Sequence, residues 1–137
     1  MKKILIINAN YYKKISTRLT NKAVDVLKKN KINSSVIYVP GVLEIPIVAR
    51  RNIKKYDAFI ALGCVIKGET PHFDLICRST FDAIIKISID FNKPITNGII
   101  TAFNMDQAIA RSSSNLNKGS EAANAVLSFL SNEAKKN

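Results

Sequence analysis

The sequence predicts an α/β fold with one domain, residues 1–137, in which helices cover both faces of a four-stranded parallel sheet. Four short runs rich in β-favouring apolar residues alternate with longer segments whose apolar residues recur at helical spacing. This alternation is typical of strands joined by crossover helices. Because such crossovers are right-handed, the strands are expected to form a doubly wound, three-layer sandwich.

The first half of the chain contains two predicted strands, each followed by a helix. The strands span 3–9 and 35–39. The first helix spans 16–29, and the second follows the junction at 42–46 and ends at about 54. Asn30 offers a stop signal for the first helix. Pro46 lies near the start of the second helix, where proline is tolerated because the first turn needs no main-chain donor.

The second half continues the pattern. Strands are predicted at 58–66 and 95–101, and helices at 71–91, at 104–111 and from 117 onwards. In the short helix, Asn104 and Gln107 resemble a capping box. Gly98 lies in the middle of the last strand, where a missing side chain usually means that something approaches the backbone closely. The whole pattern is flavodoxin-like in build.

The stretch from 57 to 72 organises the predicted site. Its apolar run has no polar alternation, as in a strand buried on both faces, and it ends at Gly68. Thr70 and Pro71 suit an N-cap and a first helical position, which places His72 in the first helical turn. The free N–H groups of a helix start at the carboxyl edge of a parallel sheet favour phosphate. His72, the only histidine, adds a group that exchanges protons near neutral pH.

Composition narrows the function classes. The net charge of +11 favours an anionic partner, but the basic residues are spread and are not interleaved with aromatic residues. No nucleic-acid partner is therefore expected. Cys64 and Cys77 have neither metal-site nor redox-pair spacing, so we expect small buried residues in a reducing cytoplasm. The apolar run 4–7 is too short for a signal peptide or a membrane span, and no membrane partner is expected.

Five motifs occur in order along almost the whole chain. They are PGVLEIP at 40–46, ALGCVIKGETPHF at 61–73, NGI at 97–99, DQAIAR at 106–111 and NKG at 117–119 with Glu121. Together they resemble the lumazine synthase family of riboflavin biosynthesis. Each motif is weak by itself, whereas five in this order and spacing form a specific signal.

The resemblance implies a condensation that needs neither a metal nor an organic cofactor. Its substrates are 5-amino-6-(D-ribitylamino)uracil and 3,4-dihydroxy-2-butanone 4-phosphate, and it releases phosphate and water. An amine adds to a ketone, phosphate leaves and a ring closes. The site therefore needs proton transfer, a phosphate cradle and a flat pocket for the pyrimidine.

The resemblance also implies the role of each site residue. His72 matches the proton-transfer residue, and Glu69, Thr70 and Arg111 match the groups that bind butanone phosphate. The residues that match the ribitylaminouracil pocket are Tyr11, Val42, Leu43, Glu44, Cys64, Val65, Ile66, Asn97 and Lys118. Without the family, plain core packing would be the preferred interpretation of Tyr11, Leu43 and Ile66.

In the family, each site forms between neighbouring subunits of a pentamer. Asn97 and Arg111 match residues from one subunit, and His72 matches a residue from the other. Some members assemble twelve pentamers into a capsid. Residues 112–117 lack the glycine-lysine kink common in capsid formers, so the resemblance favours an isolated homo-pentamer.

Two other functions remain open at this point. A non-catalytic flavin- or nucleotide-binding domain of flavodoxin-like build explains the strand-to-helix junction equally well. A basic RNA-binding module explains the charge, and it predicts affinity for RNA that falls steeply with salt.

Overall fold

The fold follows the predicted alternation. The computed structural model describes residues 2–131, in which four strands and five helices occur. The strands are β1 (Ile4–Ala9), β2 (Ser34–Val39), β3 (Ala58–Ile66) and β4 (Ile95–Ala102), and the helices are α1 (Lys13–Lys29), α2 (Ile45–Arg51), α3 (Phe73–Phe91), α4 (Met105–Arg111) and α5 (Lys118–Ser131). All strand pairs are parallel, in the order β2-β1-β3-β4. The predicted α/β sandwich is confirmed.

Two hydrophobic cores separate the three layers. On one face of the sheet, α1 and α5 cover side chains such as Ile6 and Ile60. On the other face, α2 and α3 cover side chains such as Ile7 and Phe59. All residues of β1 and β3 are buried, because these two central strands have helices above and below them.

The strand register creates space for a site. Asn8 of β1 pairs with Leu62 of β3, so the last residues of β3 run beyond the end of β1. These residues continue to pair with β4 as far as Ile66 and Ala102. The step leaves a recess above the end of β1, with the projecting part of β3 as its wall.

Two predicted helix boundaries are displaced. The first helix begins at Lys13, before the predicted start at 16. The junction at 42–46 contains a 3-10 turn at Val42–Glu44 and the start of α2, and α2 ends at Arg51, before the predicted end at about 54. The helix stops there because the side chain of Asn52 donates to the main-chain oxygen of Val48 at 2.8 Å, which satisfies a carbonyl of the last turn.

The predictions that Thr70 caps α3 and that His72 lies in its first turn are wrong. The helix begins at Phe73, and His72 is its N-cap in the left-handed region, at φ 61°. A separate turn precedes it, in which Gly68 has φ 86° and the N–H of Thr70 donates to the oxygen of Ile66 at 3.3 Å. Thr70, which was predicted to cap the helix, belongs to this turn instead.

The close approach expected at Gly98 is present. A Cβ added there would lie 2.6 Å from Cδ2 of Leu62 and 2.9 Å from Cβ of Ala122. The missing side chain therefore lets α5 pack directly against β4.

Side chains cap the last two helices near the predicted starts. Oδ1 of Asn104 accepts from the N–H of Gln107 at 2.9 Å, as the capping-box pattern predicts. Oδ1 of Asn117 accepts from the N–H of Gly119 at 2.8 Å. The capped start of α5 fixes Lys118 beside β4.

Candidate active site

The recess above the end of β1 is a cavity of about 290 Å3. Its walls come from segments that follow or include the carboxyl ends of β1, β2 and β3. Many of the predicted site residues line it: Tyr11, Val42, Leu43, Glu44, Cys64, Val65, Glu69 and Thr70. This edge of a parallel sheet is the one at which ligands commonly bind.

One side of the cavity is apolar and open. Tyr11 is 69% exposed and Leu43 is 53% exposed, so neither side chain is packed in the core. The ring of Tyr11 meets the ring of Tyr12 edge to face, with the centroids 4.9 Å apart. An open aromatic ring that is supported from one side suits stacking against a flat ligand.

Two carboxylates border the cavity, at Glu44 and Glu69. Glu44 lies in the 3-10 turn, where its N–H donates to the main-chain oxygen of Gly41 at 3.2 Å. Oε2 of Glu69 accepts a hydrogen bond of 2.8 Å from the hydroxyl of Tyr12. Because ionised carboxylates only accept hydrogen bonds, Glu44 suits a ligand that carries several hydroxyl groups.

The loop 67–72 forms the rim of the cavity. Glu69, Thr70 and Pro71 line it, whereas His72 is exposed just beyond them. The imidazole therefore flanks the cavity and is not part of its wall. A ligand that reaches past Pro71 would meet His72.

Burial keeps the thiol of Cys64 protonated. The residue is 7% exposed, and burial, followed by the charge of Glu69, raises its pKa from 9.0 to about 12. Burial, followed by the charge of Asp74, also raises the pKa of the half-buried Cys77. Because the thiolate is the reactive form, Cys64 is a wall of the cavity and not a nucleophile.

Tyr12 is a cavity residue that sequence reasoning missed. Its ring packs against the core beneath α1, and its hydroxyl reaches Glu69. Burial, followed by that hydrogen bond, raises the pKa of Tyr12 to about 12, so the phenol keeps its proton at neutral pH. The only signal that the sequence offered was the position of Tyr12 beside Tyr11, at the end of β1. The contact with Glu69 could not be read from a local pattern, because the two residues are 57 positions apart.

Three other predicted site residues line a second cleft, of about 490 Å3, beside β4. Asn97, Arg111 and Lys118 border it. Nη1 of Arg111 donates to the main-chain oxygen of Thr101 at 2.7 Å, and Nζ of Lys118 lies 3.3 Å from a carboxylate oxygen of Glu121. Two cationic groups on one cleft suit an anionic ligand group.

Three further residues of this cleft were not predicted: Phe81, Ile99 and Thr101. Ile99 and Thr101 alternate with Asn97 along β4, so strand periodicity places all three on one face. That periodicity was the signal available in the sequence. Phe81 comes from α3, and nothing in the sequence pointed to it.

Within one chain, the predicted site is divided between the cavity and the β4 cleft. His72 flanks the cavity, whereas Arg111 lines the β4 cleft. Ile66 lines neither, because it is 1% exposed and packs in the core on the side of α1 and α5. A ligand in the cavity can therefore meet Ile66 only through its main chain.

Two further properties concern the part of the chain that the structure describes, residues 2–131. In that part of the chain, no three His, Cys, Asp or Glu side chains are grouped so that they could hold a metal ion. No helix in the same range combines the length and the apolar character needed to cross a membrane.

Comparison with known proteins gives one consistent result. A family model described as 6,7-dimethyl-8-ribityllumazine synthase matches residues 1–133. A protein of that name from Buchnera aphidicola subsp. Baizongia pistaciae is 45% identical over 136 residues, which cover 94% of this chain and 86% of the relative. One from Bartonella tribocorum is 40% identical over 131 residues, which cover 93% of this chain and 87% of the relative.

Proposed function

Because the chain belongs to the 6,7-dimethyl-8-ribityllumazine synthase family, we propose that its two clefts are halves of one active site, completed between neighbouring subunits. The enzyme condenses 5-amino-6-(D-ribitylamino)uracil with 3,4-dihydroxy-2-butanone 4-phosphate and releases phosphate and water. The observation that carries this function is the family match over residues 1–133. The cavity at the carboxyl edge of the sheet supplies a place for the reaction.

Butanone phosphate is bound by groups from both halves. The guanidinium of Arg111 can give two parallel hydrogen bonds to phosphate oxygens. The main chain of Glu69 and the hydroxyl of Thr70 approach from the rim of the cavity. The carboxylate of Glu69 accepts a hydrogen bond from Tyr12, and the main chain of Glu69 binds the phosphate.

Ribitylaminouracil occupies the cavity itself. The ring of Tyr11 stacks on the pyrimidine, and the carboxylate of Glu44 accepts from ribityl hydroxyl groups. The rest of the pocket consists of Val42, Leu43, Cys64, Val65 and the main chain of Ile66, with Asn97 and Lys118 from the neighbouring subunit.

His72 transfers protons at the reacting atoms. Addition of the amine to the ketone, loss of phosphate and ring closure each move a proton. In this proposal the reacting atoms lie where a ligand extends past Pro71 and meets His72. No bound metal is needed for these steps in this proposal.

Two observations support a ring of subunits. First, His72 flanks the cavity, whereas Arg111 lines the β4 cleft, so neither cleft of one chain has the full set of groups. Second, α3 exposes the large apolar side chains of Leu75, Ile85 and Ile89. An exposed apolar helix face favours a partner, and we take that partner to be another copy in an isolated pentamer.

Two free thiols, at Cys64 and Cys77, suit a reducing cytoplasm.

One assay tests the reaction. Purified protein is mixed with both substrates, and lumazine fluorescence and free phosphate are followed together. We expect both products to appear in equal amounts and faster than in the same mixture without protein. Flavin binding without any increase in either product would contradict the function.

Light scattering tests the assembly. A pentamer of 15.2 kDa subunits has a mass of 76 kDa, five times that of the chain. A stable species at the subunit mass, or a particle many times heavier than the pentamer, would contradict the proposed ring.

A further inference from the structure

The hydroxyl of Tyr12 donates a hydrogen bond of 2.8 Å to Oε2 of Glu69. Tyr12 lies just after β1, and Glu69 lies in the loop 67–72 after β3. The bond therefore joins two segments that are 57 positions apart in the chain. Both residues line the cavity.

Main-chain hydrogen bonds and the side-chain bond to Tyr12 hold the loop 67–72. The N–H of Lys67 donates to the oxygen of Ala102, the N–H of Thr70 closes the turn on the oxygen of Ile66 at 3.3 Å, and the oxygen of His72 accepts from Ile76. Within the loop, Gly68 and Glu69 are exposed, and Gly68 takes the left-handed conformation. An exposed segment without core packing gains order only if a specific contact offsets the entropy that it loses.

Tyr12 is a firm point of attachment. Its ring packs against the core on the α1 side, and its main-chain oxygen accepts from Ser16 in the first turn of α1 at 2.9 Å. The hydroxyl therefore projects from a side chain that the core already orients. Its pKa of about 12, raised first by burial, keeps the phenol a donor throughout the neutral range.

We propose that Tyr12 is a positioning residue that holds Glu69, and with it the loop 67–72, in the conformation that binds the phosphate group of the substrate. This inference rests on the proposed function, which assigns the phosphate to Glu69, Thr70 and Arg111. The same ring supports Tyr11 edge to face at 4.9 Å. Tyr12 thereby fixes the distance between the stacking side of the cavity and its phosphate side.

The Tyr12→Phe variant tests the tether because it keeps the ring and removes only the hydroxyl. We expect the KM for butanone phosphate, and the inhibition constant of inorganic phosphate, to rise about threefold to tenfold, the range for a partly exposed hydrogen bond. The KM for ribitylaminouracil should change less than about twofold. Tyr56→Phe is the matched control, since Tyr56 precedes β3 at the opposite edge of the sheet, and both constants should match those of the unmodified enzyme.

Replacement of Glu69, the partner of Tyr12, distinguishes a positioning role from an effect on the stability of the whole protein. Glu69→Gln keeps an acceptor oxygen and should retain most of the phosphate affinity, whereas Glu69→Ala should behave like Tyr12→Phe. Tyr12→Phe and Glu69→Ala each remove the same hydrogen bond. The double variant should therefore bind phosphate no more weakly than either single variant. Additive losses, or equal rises in both KM values, would overturn the tether.

The response of Arg111→Lys distinguishes failure of the tether from failure of the site assignment. If inorganic phosphate inhibits Arg111→Lys less well but inhibits Tyr12→Phe normally, the tether is wrong and the phosphate site stands. If neither variant alters inhibition by phosphate, the phosphate site is misplaced, and the inference falls with it.

Discussion

The side chain of Arg111 is fixed against β4 by its hydrogen bond of 2.7 Å from Nη1 to the main-chain oxygen of Thr101. This bond uses one edge of the guanidinium and orients the planar group in the β4 cleft. A lysine at 111 would keep the charge but lose the paired donors.

Arg111→Lys should therefore raise the KM for butanone phosphate by about tenfold, which corresponds to about 1.4 kcal/mol of lost charge-assisted hydrogen bonding. The KM for ribitylaminouracil should stay almost unchanged. Arg18→Lys, on the exposed face of α1, is the matched control. Weaker binding of the pyrimidine substrate with normal use of the phosphate substrate would show that the two pockets are reversed.

Replacement of His72 should slow turnover without unfolding the protein. A general acid–base group contributes a factor of about 10² to 10⁴, and we expect the low end because holding the two substrates together already supplies much of the rate. The variant of choice is His72→Asn, since residue 72 has φ 61° and Asn tolerates this conformation better than Ala.

The Ala variant serves as the comparison. His72→Ala should lose the same turnover and, in addition, about 1 kcal/mol of stability from backbone strain. Turnover is followed by lumazine fluorescence and stability by thermal unfolding. Unaltered turnover in folded His72→Asn would show that His72 does not transfer the proton.

The layered fold and most of its local features could be predicted from the sequence. The buried strands β1 and β3 follow directly from their apolar runs, Ile4–Ile7 in β1 and the whole of β3, and the cap at Asn104 follows from its spacing to Gln107. Gly98 was recognised as a point of close approach. These features depend on periodicity or on neighbours in the chain, which a sequence shows.

Two features were missed, one because local signals compete and one because it depends on distant parts of the chain. Thr70 and Pro71 form a good helix start by local rules, but the turn at Gly68 displaces the helix. The bond from Tyr12 to Glu69 depends on the register of β1 and β3, which no local pattern contains. The division of the site between two clefts was expected only from the family resemblance; in the fold it arises because the cavity lies above the end of β1, whereas β4 is an edge strand.

Gly98→Ala should destabilise the protein by about 2 kcal/mol, because the new Cβ would overlap Leu62 and Ala122 in a well-packed region. Gly68→Ala is an informative control, since nothing lies within 4 Å of a Cβ there but φ is +86°. Its cost should be about 1 kcal/mol, from strain alone. Urea unfolding at one fixed protein concentration measures both, because the stability of an oligomer depends on concentration. Equal midpoints for Gly98→Ala and the unmodified protein would refute the packing argument.

The buried thiol of Cys64 predicts a loss of stability in alkali. Its pKa is 9.0 when unperturbed and about 12 in the fold, so the folded state holds the proton more tightly. The corresponding stability is fully present below pH 9 and is lost as the pH rises towards 12. By pH 10 the loss should reach about 1.4 kcal/mol relative to pH 7.

Comparison with Cys64→Ala isolates this effect from the titration of lysines, which both proteins share. The free energy of unfolding of the unmodified protein should exceed that of Cys64→Ala at pH 7, and the difference should shrink by about 1.4 kcal/mol at pH 10. A difference that is constant from pH 7 to pH 10 would mean that the thiol is not protected from ionisation.

Complementation between two inactive variants tests whether the clefts of neighbouring subunits form one site. In a closed head-to-tail ring, every interface joins the same two unlike surfaces. Subunits with His72→Asn and subunits with Arg111→Ala are each expected to be nearly inactive. When equal amounts are refolded together, a pocket receives an intact His72 with probability one half and an intact Arg111 with probability one half.

About one pocket in four is then whole, so the mixture should recover about a quarter of the unmodified activity. The mixed rings should have a mass of 76 kDa, five times 15.2 kDa. Separately refolded parents that are combined only after assembly form no mixed interfaces, and they should stay inactive as the control. Mixed rings of the expected mass that are as inactive as their parents would mean that each pocket lies within one subunit, or that one of the two residues lies outside it.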